Sequence, residues 1–147
     1  MEDNLKDKYL SAMLRFKKSG LRIPAECEIQ WSELLIMEKI CQDCESGNTY
    51  INVSEIQQSM YISKPAVSQT LNNLEKKGYI VREIDMSDRR KISVQPTTVG
   101  EEVLNQSSMT YEEKIRYICD QFGREDMNKL LDLLNRLSDL IDRLEKK

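Results

Sequence analysis

The chain has 147 residues, with 22 Lys or Arg against 25 Asp or Glu, a net charge of −3, four Cys and no His. That length gives one domain large enough to close a buried core. Without His there is no Ser-His or Cys-His nucleophile pair, the five Gly form no phosphate-cradling loop, and the carboxylates are scattered over helical faces; no catalytic residue is assigned and no enzyme is expected.

The first residues include Glu2, Asp3, Lys6, Asp7 and Lys8. So charged a start is no secretory leader, and no membrane-spanning run follows, which points to the cytoplasm. Tyr9, Leu10, Met13, Leu14 and Phe16 then form the apolar side of an N-terminal helix. A connector carrying Gly20 and Pro24 covers about residues 19–30. A second helix is expected from Trp31 to about Glu45, with Leu34, Leu35, Met37, Ile40 and Cys41 inward. Cys41 and Cys44 stand three apart on nearly one face of it. A zinc site would need two more ligands, and only Cys27 and Cys119 remain as thiols. Redox cysteine pairs favour helix N-termini, where the dipole lowers the thiol pKa, whereas this pair lies near the C-terminal end. The four are read as small apolar thiols, with redox sensing at Cys27 or at the Cys41/Cys44 pair as the alternative and no metal assigned.

The next two helices are short. Asn52 and Glu55 have capping-box spacing, and Val53, Ile56 and Met60 give the first its apolar side. Tyr61-Ile62 is a turn. Ser63 is placed as an N-cap and Pro65 in the first turn, where its missing N–H costs nothing. Val67, Leu71 and Leu74 form one stripe, and Lys64, Ser68, Gln69, Asn72 and Asn73 lie opposite. Gly78 supplies a left-handed stop. The outer face is rich in amides and hydroxyls, where an ordinary solvated face would carry more Glu and Lys. A tight pair of this kind is a helix-turn-helix, with Ser68, Gln69 and Asn73 toward a major groove and Lys64 and Thr70 nearer phosphates. The two helices taken alone also fit a generic buried helical pair.

A β-hairpin follows. Ile80, Arg82 and Ile84 alternate with Val81 and Glu83, and Ile92 and Val94 alternate with Lys91, Ser93 and Gln95. Its tip is Asp85-Met86-Ser87-Asp88-Arg89-Arg90, with Lys91 following. Exposed ion pairs contribute only about 0–1 kcal/mol, so stability gives little reason to gather three cations there. The negative potential of a minor groove gives one, and Asp88 is placed to hold Arg90 by a bidentate contact. From Tyr61 to Ser93 there are seven basic residues against four acidic ones, and from Thr97 onward eleven acids against eight bases. Local charge, not the total, governs phosphate contact.

Taken together, Ser63, Val67, Ser68, Leu74 to Gly78, Arg82, Asp88-Arg89-Arg90 and Thr97-Thr98-Val99-Gly100 resemble the winged helix-turn-helix of the MarR family of bacterial transcription regulators. The resemblance extends over nearly the whole chain. It implies a mainly α fold with a small β-hairpin wing and a helical dimerisation region. Residues 31–100 would be the DNA-binding part of a single domain 1–147, and residues 1–20 and 101–147 the dimerisation helices. The DNA contacts it implies are Ser63, Lys64, Pro65, Ser68, Gln69, Thr70, Asn73, Arg82, Asp88, Arg89, Arg90 and Lys91, with no cofactor. The family often has Thr where Ala66 stands, Arg where Gln69 stands and Leu where Pro96 stands. Gln pairs with adenine where Arg favours guanine, so the second change alters base preference. Pro96 should end the second strand sharply.

The flanks complete the reading. A helix from Thr97 to about Phe122 is followed by one from about Arg124 to Glu145, whose Leu130, Leu133, Leu134, Leu137, Leu140, Ile141 and Leu144 recur every three to four residues. A winged domain needs only about 70–100 residues to close its core, so helices this apolar are expected to pack on a second copy. Leu10, Leu130, Leu134, Leu137, Ile141 and Leu144 form the expected dimer interface. The family likeness further implies a pseudo-palindromic operator, and repression relieved by an oxidant or by a small-molecule effector near Met13, Phe16 and Trp31. The competing function is a winged-helix protein-interaction adaptor that does not bind DNA, although an adaptor has no use for the four charges at the wing tip.

Overall fold

A computed structural model describes residues 2–19 and 27–146, with side chains from Asn4 onward. Most of the connector expected at 19–30 falls on residues 20–26 and so lies outside the described residues. In chain order the elements are α1 (Glu2–Ser19), α2 (Trp31–Glu45), α3 (Val53–Met60), α4 (Lys64–Lys76), β1 (Ile80–Ile84), β2 (Ile92–Pro96), α5 (Thr98–Phe122) and α6 (Arg124–Glu145). The mainly helical architecture with one small hairpin agrees with the sequence.

The core is built around α2. Leu34, Ile36, Met37 and Ile40 are buried on it and meet Ile56 of α3, Val67, Leu71 and Leu74 of α4, Ile80 and Val94 of the hairpin, and Leu104 and Tyr111 of α5. This corrects the expected inward set. Leu35 and Cys41 sit at the edge, while Ile36 and the charged Glu33 are turned in. Glu33 is tolerated there because one carboxylate oxygen accepts the Gln30 N–H at 2.9 Å and the Lys77 ammonium at 2.7 Å, and a buried charge persists only when paired and hydrogen-bonded.

Helix boundaries follow local chemistry. Asn52 Oδ1 accepts the Glu55 N–H, but the Glu55 carboxylate turns to Lys39 at 2.9 Å. The reciprocal half of the expected box at α3 is therefore replaced by an ion pair, and it is Gln30 and Glu33 that close back on one another at the head of α2. Ser63 Oγ caps α4 by accepting the Ala66 N–H. At its far end Tyr79 N–H donates to Leu74 O and Gly78 N–H to Glu75 O, with Gly78 at φ +78°, a Schellman stop.

The hairpin pairs Ile80 with Pro96, Arg82 with Val94 and Ile84 with Ile92. Its outer edge is not bare. Ile51 N–H donates to Ile92 O and Val94 N–H to Thr49 O, with Tyr50 bridged to Ser93, so residues 49–51 act as a third short strand that shields β2. β2 ends at Pro96 as expected, and the following helix is capped by Thr97, whose Oγ1 accepts the Gly100 N–H and donates to Gly78 O.

This junction leaves no room at Gly100. A Cβ there would stand 2.1 Å from Tyr79 O and 2.9 Å from its carbonyl carbon. Both are backbone atoms, so relief requires separating α5 from the end of α4. Gly100→Ala is expected to cost about 2–4 kcal/mol, read as a lower urea midpoint at unchanged slope. An unchanged midpoint would show that α5 can slide.

Candidate nucleic-acid interface

Recognition begins with α4, whose buried stripe of Val67, Leu71 and Leu74 fixes which side faces out. Lys64, Pro65, Ser68 and Gln69 are exposed, and Ser63 stands at the head of the same face. Gln69 Nε2 donates to Asn73 Oδ1 at 3.1 Å. The two amides are thereby held side by side, which limits the rotamers from which either can address a base edge. Thr70 is different. It is only 7% exposed, and its hydroxyl donates to Ala66 O. It belongs to the inner edge of α4 and drops out of the phosphate-facing set.

Two basic residues are engaged by the protein's own acceptors. Lys77 is held by Glu33 and by Glu28 O. Arg82, expected among the DNA contacts, donates to Glu75 Oε2 through Nε and Nη2 and to Asn72 Oδ1 at 2.7 Å. Its fork binds the end of α4 to β1 and sets the angle between helix and wing. Lys64, Lys76, Arg89, Arg90 and Lys91 remain exposed on the outer side.

The wing tip is organised by its first residue, Asp85, to which the sequence alone assigns no role. Asp85 Oδ1 accepts the backbone N–H of Ser87 at 2.8 Å, the Ser87 hydroxyl at 2.5 Å and the N–H of Asp88 at 2.9 Å, while Oδ2 accepts Tyr50 Oη–H at 2.6 Å. These donors, the Ser87 hydroxyl first and Tyr50 next, hold the Asp85 carboxyl far below the ordinary aspartate range. The same contact, seen from the phenol, raises the pKa of Tyr50. An Asp followed two residues later by Ser is a recognisable Asx-turn signal, but the partner 35 residues upstream has none. Lys91 stands over the Tyr50 ring at 5.5 Å, so Tyr50 also steadies a cation of the wing.

Asp88 does hold Arg90, but not by a fork. Its Oδ1 accepts both the Arg90 backbone N–H at 3.0 Å and Nε at 3.2 Å, so the expected bidentate pairing is replaced by a single oxygen. The Arg90 side chain is 91% exposed, with its terminal guanidinium nitrogens clear of the protein.

Elsewhere the chemistry is quiet. All four cysteines are free and half-buried. Burial first, then the Glu101 carboxylate, pushes the Cys41 thiol up to about 11, and burial raises Cys44 as well, so neither is a thiolate at neutral pH. Cys44 Sγ donates to Val94 O. Trp31 packs on Tyr111 with ring centroids 5.1 Å apart, while Met13 and Phe16 are exposed on α1. A cavity of about 120 Å³ is lined by Cys27, Glu28, Val103, Gln106, Ser107 and Thr110, and not by Met13, Phe16 or Trp31.

A three-helix unit with a capped polar helix and a cationic hairpin beside it defines a winged helix-turn-helix protein. Residues 44–92 match the model of the MarR family, the family that the chain resembles. It is 29% identical over 97 residues to the HTH-type transcriptional regulator FarR of Neisseria gonorrhoeae, covering 66% of each protein. It is 32% identical over 73 residues to the homoprotocatechuate degradative operon repressor of Escherichia coli, covering 50% of this chain and 49% of that one. The matched segments thus span about half to two thirds of those relatives. In fold it resembles Streptococcus pneumoniae FabT, solved in complex with DNA, at a TM-score of 0.59 and 21% identity over 96% of this chain and 98% of that one.

The wing makes a pH statement with a definite sign. A carboxyl whose folded pKa is depressed contributes order above its unfolded value, near 3.9, and loses it only as pH falls through the folded value. Amide exchange at Ser87 and Asp88 should therefore stay protected from neutral pH to below about pH 4. Asp85→Ala should speed exchange at both by roughly tenfold or more, whereas Asp88→Ala should release Arg90 alone. Equal exchange in wild type and Asp85→Ala would show that the tip is organised by something else.

Proposed function

We propose that this chain is a homodimeric, sequence-specific DNA-binding transcription regulator that acts as a repressor, with α4 reading the major groove and the wing entering the adjacent minor groove. The observation that carries the reading is the pairing of an amide-rich, rigidly capped α4 with an ordered wing tip that projects Arg89, Arg90 and Lys91 outward. The complex of FabT with DNA and the repressor name of the Escherichia coli relative support it. The proposed contacts are Ser63, Lys64, Pro65, Ser68, Gln69, Asn73, Arg89, Arg90 and Lys91, with Asp88 orienting Arg90 and Arg82 setting the wing angle. Such regulators act in the cytoplasm, and among the described residues no helix is long and apolar enough to cross a membrane.

The dimer rests on surface chemistry. Every described side chain of α1 is exposed, including Leu5, Tyr9, Leu10, Leu14 and Phe16, and α6 buries none of its residues. On α6, Leu130, Leu134 and Leu137 are half-covered while Ile141 and Leu144 are exposed. Contiguous apolar faces of that extent mark an interaction surface. A second copy would place two α4 helices about one DNA turn apart, roughly 34 Å, and call for a pseudo-palindromic operator. The proposed effector position is near Met13 and Phe16 of α1 and Trp31 of α2, which a second copy would help to enclose. An effector there would act by favouring one head spacing over another, since a ligand indifferent to both shifts nothing.

Selection from a random duplex pool tests the reading. The wild type should enrich a two-fold-related site, and Gln69→Ala should lose about 1–3 kcal/mol and relax one base position per half-site. With five outward cations per protomer, the salt slope should not exceed about 9 in magnitude. Arg90→Ala should lower it by about one per half-site. Asp88→Ala should weaken binding although it removes a negative charge; tighter binding would refute the orienting role. No salt-dependent binding at all would favour a protein-interaction adaptor.

Leu137→Asp tests the dimer. It should give folded monomers that lose full-site binding. Sedimentation as a dimer, or native affinity as a monomer, would move the interface elsewhere.

A further inference from the structure

Tyr61 is the only non-glycine residue at positive φ among the described residues, at φ +53° and ψ +37°. It closes α3 and turns the chain toward the Ser63 cap of α4. A tight turn explains the left-handed backbone, and Gly or Asn is the usual occupant of such a cap. It does not explain a tyrosine, because a bulky side chain in this region is strained. Burial does not explain it either: Tyr61 is 91% exposed and its hydroxyl forms no hydrogen bond to the described residues.

The surroundings indicate what the phenol faces. Tyr61 borders an open cleft with Ser54, Gln57, Gln58 and Ile62. Its polar lining is hydroxyl, amide and phenol, with no carboxylate. The acid of α3, Glu55, is turned away to Lys39. The cleft adjoins the first turn of α4, whose N–H groups and Lys64 make the local field positive. Neutral donors beside a positive helix end suit an anion. In a helix-turn-helix the first helix crosses the DNA backbone while the N-terminal residues of the second reach the bases, and Tyr and Gln donate to phosphate oxygens.

We propose that Tyr61 donates its hydroxyl to a DNA backbone phosphate on the rim of the groove that α4 enters, with Gln57 and Gln58 flanking the same phosphate, and that the strained backbone is retained for this contact. The inference rests on the DNA-binding reading above and extends its contact surface to the turn and α3. Strain held at a binding site is a recurrent pattern.

The contact has a signature that separates it from every cation on the interface. A neutral hydroxyl releases no condensed counterion, so its loss lowers affinity without changing the salt slope. Fluorescence anisotropy with a labelled duplex selected by the wild type, and with an unselected random pool, is measured across a salt series. Tyr61→Phe should weaken both by about tenfold, with log K against log salt running parallel to wild type. Tyr61→Gly should weaken binding at least as much while leaving the thermal midpoint unlowered, because relief of left-handed strain offsets the added freedom of Gly in the unfolded chain. A wild type that binds while Tyr61→Phe and Tyr61→Gly bind equally well overturns this inference and leaves the regulator reading intact. A changed salt slope in Tyr61→Phe also overturns it. A wild type that binds neither duplex overturns both.

Discussion

The pose of the outward helix depends on a buried carboxylate. Glu33 lies in the core on α2, yet its Oε2 receives an N–H from the head of its own helix and the ammonium of Lys77 from the residue that closes α4. An apolar pair of the same volume could serve stability as well, since desolvation offsets most of the Coulombic gain. Direction distinguishes the ion pair. A hydrophobic contact tolerates sliding and rotation, whereas a carboxylate left without its cation in the interior costs about 3–5 kcal/mol. Lys77 also reaches Glu28 O, so the end of α4 is fixed both to α2 and to the segment before it.

From that anchor the constraint passes outward through very few residues. Gly78 turns the chain, Tyr79 inserts into the core, and Thr97 ties back to Gly78 and Tyr79 through its hydroxyl and its N–H. Gly100 then lies against the Tyr79 carbonyl with no space for a methyl group. The end of α4, the base of the hairpin and the start of α5 thus share one junction. Arg82 adds the third side by joining Glu75 and Asn72 to β1. A displacement of α5 therefore reaches both the polar helix and the wing without any flexible intermediary.

Much of this was legible because it is local. Caps, the Schellman glycine, the stripe of Val67, Leu71 and Leu74 and the alternation of the hairpin all write their signals within a few residues, and the boundaries of α2, α5 and α6 follow from them within a residue. The family likeness added the wing's Asp-x-Arg. What the sequence did not reveal depends on partners far along the chain. Glu33 looked like a solvated acid because its cation is 44 residues away. Asp85 carries no legible role because its phenol partner, Tyr50, stands 35 residues upstream. Thr70 and Arg82 were assigned outward by residue type, yet a hydroxyl can return to its own helix and an arginine fork can satisfy the protein's own carboxylate before any phosphate. The Glu55 box failed for the same reason: a nearby Lys39 offered a better partner than the backbone.

These misassignments share a consequence for binding. Lys77 and Arg82 are paired with Glu33 and Glu75, so the interface presents fewer uncommitted cations than the sequence counts, and those that remain divide between the two ends of α4 and the wing tip. Their spacing is set by neutral and acidic groups: Ser63 at the cap, the Gln69–Asn73 amide pair on the face, Asp85 and Tyr50 beneath the tip. Charge provides attraction to any duplex and is screened by salt, while the neutral groups carry geometry that salt does not erase. Specificity in a protein with net negative charge then depends on how rigidly a small number of outward cations is held, and the buried Glu33 carboxylate, gripping Lys77 at the core edge, supplies that rigidity.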